Sequence, residues 1–137
     1  MLNVFPDLLF LQLLAPFLLR VALGIMLFWI GYSYLFKDRT ATIAQLSTKF
    51  PKIAVFAVVF SGIFEITTGI FLIAGFLTQI MSIAGVLIAI DALSVKILCK
   101  NLDKVIKCGK MFYILVFIIS LSLLFSGAGA FAVDLPL

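Results

Sequence analysis

Four long apolar segments, separated by short polar stretches, are the feature that most limits what this chain can fold into. They cover residues 15–36, 53–75, 78–98 and 111–132. Each is close to the roughly 20 helical residues that cross a bilayer. The apolar run from Ile53 to Ile90 would be a helix of about 57 Å, too long for one span, so it must turn back at residues 75–79. The sequence therefore predicts an all-α integral membrane protein, built as a four-transmembrane-helix bundle.

The stretches outside the four segments are short. Residues 1–14 form an apolar arm that is predicted to lie at the membrane interface or to extend the first helix, and residues 133–137 form a short tail. In the first loop, apolar residues at 43, 46 and 50 have helical spacing, which predicts a short interfacial helix before Pro51. The chain thus comprises one membrane domain, residues 15–132, and two flanking segments.

Basic residues are concentrated in two of the loops. The net charge is +4, and nine of the ten lysines and arginines lie in or beside the first and third loops. The positive-inside rule places both loops in the cytoplasm and both termini outside, in a plasma membrane or bacterial inner membrane. Trp29, Tyr32, Tyr34 and Tyr113 lie toward the same side, as an aromatic belt would. Because the charge is a topology signal, the lipid bilayer is the predicted partner and nucleic acid is not.

The chain has few groups that carry out chemistry on their own. Charged residues make up 12% of it, and histidine is absent. Without histidine there is no His-ligated haem, no His-containing zinc site and no catalytic triad, and no metal site is predicted. The six scattered acids exclude a carboxylate–histidine di-iron bundle. The chain is therefore not expected to be catalytic alone, and membership of an enzyme complex stays open.

Three ionisable residues, Arg20, Glu65 and Asp91, lie inside the predicted spans and form a predicted polar centre. Each costs about 3 kcal/mol or more in lipid, so each is expected to face the bundle interior. We predict an ion pair between Arg20 and Glu65, because a guanidinium can bridge the roughly 7 Å between their depths. Asp91 is expected to be protonated, or to reach a serine or lysine near the cytoplasmic end. The centre either locks helix register or binds a proton, an ion or a quinone headgroup.

Small residues lie on the same helix faces as the two paired charges. The predicted packing faces comprise Arg20, Gly24, Leu27 and Gly31 on the first helix, and Gly62, Glu65, Gly69 and Leu72 on the second. Small residues let a neighbouring backbone approach closely. The full set of glycines predicted to support helix packing is Gly24, Gly31, Gly62, Gly69, Gly75, Gly127 and Gly129.

Two cysteines, Cys99 and Cys108, flank the third loop. Their C-x8-C spacing fits neither a zinc site nor a Cys-x-x-Cys redox motif. A cytoplasmic loop would keep them reduced. Ordinary thiols, a redox pair and a palmitoylation site are the alternatives that the sequence leaves open.

Three blocks of sequence follow one another in a distinctive order. Residues 20–31 have an R-x3-G-x6-G arrangement, residues 65–78 have an E-x3-G-x5-G-x2-T arrangement, and residues 127–134 have a G-x-G…D arrangement. In their order and in the placement of the arginine and the glutamate, these blocks resemble the DoxX family of small four-helix membrane proteins.

The resemblance implies a membrane subunit of a redox or thiol- and sulfur-related system, since related proteins include the membrane subunit of a thiosulfate:quinone oxidoreductase. Such a subunit would supply a quinone pocket or a docking platform for a soluble oxidoreductase. A homodimer is a further possibility. Two other classes remain as alternatives, namely a small proton-coupled transporter that uses Glu65 and Asp91, and a purely structural membrane anchor.

Overall fold

The computed structural model describes residues 9–98 and 109–127, where the regular secondary structure is helical throughout. Within these residues, the α-helices are α1 Leu9–Tyr32, α2 Arg39–Ser47, α3 Ala54–Ala74, α4 Thr78–Leu98 and α5 Lys110–Ser126. A π-helical turn, Ser33–Lys37, continues α1. The predicted all-α bundle of four long helices is confirmed, and α2 is the short helix predicted in the first loop.

Three of the helices are long and apolar enough to cross a membrane. Their apolar spans are Leu14–Lys37, Ala54–Ala74 and Thr78–Ile97. The fourth, α5, is an apolar helix of 17 residues and so about 26 Å long, and residues 128–132 of the fourth predicted span lie outside the described residues. Because α1 begins at Leu9 and continues through Pro16, the end of the apolar arm is continuous with the first span.

The four long helices are arranged as two closely packed pairs. The most extensive contacts join α1 to α3 and α4 to α5, whereas fewer contacts join α3 to α4 and α1 to α5. We call the boundary between the two pairs the seam. Helix α2 packs against α3 and the π-helical turn, at the end of the bundle where the first loop lies.

Apolar side chains fill the centre of the bundle and also cover its outside. The central cluster consists of Leu23, Leu27, Leu72, Ile88, Ala89, Val116 and Leu123. Large apolar side chains such as Trp29, Phe56 and Phe125 are exposed by 69%, 71% and 82%. An extended apolar surface of this kind is typical of contact with a membrane.

The turn between α3 and α4 depends on Gly75. This residue has φ 71° and ψ 32°, a left-handed conformation that glycine adopts without steric cost. The Gly75 N–H donates to the Leu72 carbonyl and the Phe76 N–H donates to the Phe71 carbonyl, each at 3.1 Å. These two bonds form a Schellman motif, which ends α3 and lets α4 begin three residues later.

Candidate functional site

Helices α1 and α3 touch through two pairs of glycines. A Cβ on Gly24 would lie 2.8 Å from the Gly69 carbonyl oxygen, and a Cβ on Gly69 would lie 2.7 Å from the Gly24 carbonyl oxygen. A Cβ on Gly31 would lie 2.7 Å from the Gly62 carbonyl oxygen. The two backbones are therefore in direct contact, which is the packing that small residues allow between membrane helices. The pairs fix the antiparallel register of α1 against α3.

Two of the three intramembrane charges lie on this contact face. Arg20 and Glu65 are each only 1% exposed, and the leucines on the same faces, Leu27 and Leu72, are fully buried. The glycine contact thus carries one buried cation and one buried acid. Their positions along the bundle axis determine which groups Arg20 and Glu65 can contact.

The Arg20 guanidinium lies at the turn between α3 and α4. Its Cζ and one terminal nitrogen are 2.7 Å from the position that a Cβ on Gly75 would take, so the side chain fills the space that glycine leaves. The guanidinium also lies over the Phe17 ring, with 5.4 Å between Cζ and the ring centroid. This end of α3 carries the partial negative charge of the helix dipole, which favours a cation there. Arg20 therefore ties α1 to the end of α3.

The predicted ion pair between Arg20 and Glu65 is not formed. In the register set by the glycine pairs, Phe28 is the α1 residue opposite Glu65, and Arg20 lies eight residues away, or about 12 Å along the axis. Helical side chains lean toward the N-terminus of their own helix. In two antiparallel helices, Arg20 and Glu65 consequently lean toward opposite ends of the bundle.

Glu65 lies near the middle of α3 with an unsatisfied oxygen. Its Oε2 atom is buried and has no hydrogen-bond partner within the described part of the chain. The neighbouring hydroxyl of Thr68 does not supply one, because it donates to the Phe64 carbonyl at 2.7 Å. A buried polar atom without a partner costs about 1–3 kcal/mol. Glu65 is therefore a buried intramembrane acid with room for an additional hydrogen-bond partner at one of its oxygens.

Asp91 departs from its predicted placement. It was expected to face the bundle interior, but its side chain is exposed on the outside of α4. The interior face of α4 is formed instead by residues such as Ile88, Ala89 and Ala92, and Asp91 lies beside that stripe. The nearby Ser94 hydroxyl donates to the Ile90 carbonyl at 2.7 Å. The predicted polar centre is thus divided among three places.

A polar cluster that sequence reasoning missed lies at the other end of the bundle, near the first loop. Lys96 is 2% exposed and Tyr113 is fully buried. The Lys96 ammonium lies over the Tyr113 ring, with 5.4 Å between Nζ and the ring centroid. The Tyr113 and Tyr34 hydroxyls are 3.2 Å apart, and either can be the donor. The cluster joins α4, α5 and the π-helical turn.

Helical periodicity could have revealed this cluster. Lys96 continues the interior stripe of α4 at Ile88, Ala89 and Ala92, although it was counted only as a basic residue beside the third loop. The same cluster removes two residues from the predicted aromatic belt. Of its four members, Trp29 and Tyr32 are among the exposed hydrophobics, at 69% and 50%, whereas the two tyrosines of the cluster point inward.

Replacing Tyr34 with phenylalanine should weaken the bundle by about 1 kcal/mol, because it removes one hydroxyl of the Tyr34–Tyr113 hydrogen bond and keeps the ring. The free energy of unfolding in mixed detergent would measure the change. Tyr32→Phe is a matched control, since that ring is 50% exposed. Equal effects of the two substitutions would contradict a role for this hydrogen bond.

A third close approach joins α4 and α5. A Cβ on Gly85 would lie 2.6 Å from the Ser120 Oγ. This oxygen is itself buried and, within the described residues, has no hydrogen-bond partner. Gly85 was absent from the predicted set of packing glycines. Gly127 was predicted to support helix packing, but no described atom lies within 4 Å of its would-be Cβ. It instead ends α5, with φ 77° and ψ −167°.

Some predicted positions lie outside the described residues. Cys99, Cys108 and Gly129 are among them, so the alternatives for the thiols stay open. In the part of the chain that the structure describes, no group of three or more histidine, cysteine, aspartate or glutamate side chains could hold a metal ion.

Comparison with known proteins gives one match. The model of the DoxX family matches residues 15–95, which are 81 of the 137 residues. No curated protein and no solved structure matches the chain. The matched segment runs from α1 into α4 and includes the glycine contact, Arg20, Glu65 and Asp91. With its apolar spans and its helical bundle, the chain belongs to the DoxX family of membrane proteins.

Proposed function

We propose that the protein is a non-catalytic membrane subunit of a redox or thiol- and sulfur-related system, and that it binds a quinone headgroup beside Glu65. The observation that carries this proposal is the Glu65 carboxyl group. It is buried near the middle of a membrane-spanning helix, and its Oε2 has no partner within the described residues. A ligand that brought a polar group to this atom would offset the cost of burying it.

A second unsatisfied group supports the same site. The Ser120 Oγ faces Gly85 across the contact between α4 and α5. Gly85 lies seven residues after the start of α4 and Thr68 lies six residues before the end of α3, so the two are at about the same distance from the turn. Glu65 is three residues from that level, or about 4–5 Å along the bundle axis. The two groups would hold the polar atoms of a quinone, which would supply electron transfer when bound. Their helices belong to different pairs, so we place the ligand in the seam.

The exposed basic residues support a docking role at one end of the bundle. Those that the structure describes at this end are Lys37, Arg39, Lys49, Lys52 and Lys110, and all are exposed. Under the positive-inside rule this end faces the cytoplasm and both termini lie outside, in a plasma membrane or bacterial inner membrane. We propose that a soluble oxidoreductase docks at this basic end.

Glu65→Gln tests the quinone site. The protein would be purified from its native membranes in mild detergent, and the quinone extracted per chain would be quantified. We expect the variant to retain about fivefold less, because an amide N–H is a weaker hydrogen-bond donor to a quinone carbonyl than the O–H of a neutral carboxyl group. Ser120→Ala should also lower the quinone content, whereas Ser122→Ala, at an exposed serine of α5, should not. Equal quinone content in all four proteins, or none in the parent, would contradict the proposal.

A proton-coupled transporter is the second candidate. The observation that favours it is that two neighbouring spans which pack against each other each carry an acid, Glu65 in α3 and Asp91 in α4, as expected for two members of a proton relay. Proton flux in proteoliposomes that Glu65→Gln and Asp91→Asn both abolish would support this alternative. If neither quinone content nor flux depends on Glu65, the protein is a structural anchor.

A further inference from the structure

Asp91 is a carboxyl group on the outside of the bundle at a depth where lipid tails lie. The apolar span of α4 runs from Thr78 to Ile97, so Asp91 lies about 5 Å from its middle. Its side chain is exposed. Ionisable groups within membrane spans almost always face a protein interior or a water-filled cavity, and they pair with one another. The exposed position of Asp91 is an exception, and its carboxyl group would be stabilised by a polar or charged group from outside the bundle.

The chain itself does not satisfy this carboxyl group. Within the described part of the chain, Asp91 makes no hydrogen bond and no ion pair. Ser94, on the same face of α4, donates its hydroxyl to the Ile90 carbonyl of its own helix. The buried lysine of the same helix, Lys96, lies over the Tyr113 ring on the other side.

The residues around Asp91 have the spacing of a helix-packing face. Four aliphatic side chains on this face are exposed by 47–65%, namely Ile83, Leu87, Ile90 and Ile97. Together with Ser94 they are spaced alternately four and three residues apart. This spacing is the one by which two helices interlock in a left-handed pair, and most membrane helix pairs have that geometry.

We infer that this face of α4 binds a transmembrane helix of another protein, one that presents a lysine or arginine to Asp91. Charge complementarity selects the partner. Among its described residues, a second copy of this chain offers no exposed cation at this depth, because Arg20 and Lys96 are 1% and 2% exposed and Lys37 lies at the very end of its span. A basic side chain within the bilayer has the same need for a counter-charge as Asp91 has.

A designed peptide tests the inference without knowledge of the natural partner. The full-length protein, labelled with a fluorescent donor, would be placed in phosphatidylcholine vesicles with an acceptor-labelled leucine–alanine transmembrane helix. The helix would carry one lysine about 5 Å from its centre, and a matched helix would carry leucine there. We expect energy transfer to show about tenfold tighter association with the lysine helix. Asp91→Asn should abolish this preference and Asp91→Glu should keep it.

A charge exchange completes the test. Asp91→Lys should prefer the same helix with glutamate in place of lysine. Because Asp91 is exposed, its variants should fold, and their unfolding midpoints in mixed detergent would verify this. An undiminished preference of Asp91→Asn for the lysine helix would overturn the inference, as would equal binding of the lysine and leucine helices by the parent. Self-association that depends on Asp91 in the absence of peptide would overturn it in favour of a second copy.

Discussion

Replacing Gly69 with alanine should lower the free energy of unfolding by about 3 kcal/mol, the upper part of the usual range for overpacking a well-packed contact. The new Cβ would lie 2.7 Å from the Gly24 carbonyl oxygen and 2.9 Å from the Phe28 nitrogen. Both are backbone atoms of α1, so no side-chain rotation can relieve the overlap. The two helices would have to move apart along their whole contact, which would also loosen the second glycine pair.

Gly109→Ala is the matched control for this experiment. Gly109 precedes α5 with an ordinary φ of −64°, and no atom of the described residues lies within 4 Å of its would-be Cβ. Equilibrium unfolding in mixed detergent, followed by the fluorescence of Trp29, the only tryptophan, would measure both variants. Closely similar stabilities for Gly69→Ala and Gly109→Ala would show that the glycine contact does not hold α1 and α3 together.

Most of the fold could be predicted because membrane helices have strong sequence signals. Length and apolar content define spans, and α3 and α4 begin and end within a residue of the predicted segments. The turn between them could be predicted because one apolar run too long for a single span must fold back. The start of the first helix was harder to predict, since residues 1–14 could either lie at the interface or extend the helix, and α1 runs continuously from Leu9 through Pro16.

The positions of the polar groups were harder to predict than the spans. Helical spacing correctly placed Arg20 and Glu65 on buried faces beside glycines. Their pairing was wrong because the glycine register separates the two residues by about 12 Å, more than the estimated 7 Å, and because their side chains lean toward opposite ends of the bundle. Lys96 was missed because a lysine near a loop looks like a topology signal. Asp91 was placed inside because ionisable residues within membrane spans almost always face the bundle interior.

Two features of the bundle indicate how it would accommodate the proposed quinone. The glycine contact makes α1 and α3 one tightly packed unit, and Gly85 does the same for α4 and α5. The seam between the pairs has fewer contacts, and the unsatisfied atoms of Glu65 and Ser120 belong to opposite sides of it. A ligand in the seam would therefore be bound by displacing one pair from the other, with little change inside either pair.

Replacing Arg20 with alanine should destabilise the protein by about 4 kcal/mol, as for other large buried side chains. Arg20 is the largest of the fully buried side chains that the structure describes. The variant would lose the contact with the turn at Gly75, the contact with Phe17 and the charge that complements the end of α3. Arg20→Lys should recover only part of the loss, because an ammonium cannot reproduce the planar guanidinium.

Two double-mutant cycles would identify the group on which Arg20 acts. Gly75→Ala alone should be destabilising, because a Cβ there would overlap the guanidinium and the backbone has φ 71°. In the double variant with Arg20→Ala this overlap disappears. The loss in unfolding free energy of the double variant should therefore be smaller than the sum of the two single losses. Arg20→Ala and Glu65→Gln should instead be additive, since the groups lie at levels about 12 Å apart. Strong coupling between Arg20 and Glu65, with additivity between Arg20 and Gly75, would show instead that Arg20 acts on Glu65 and not on the turn.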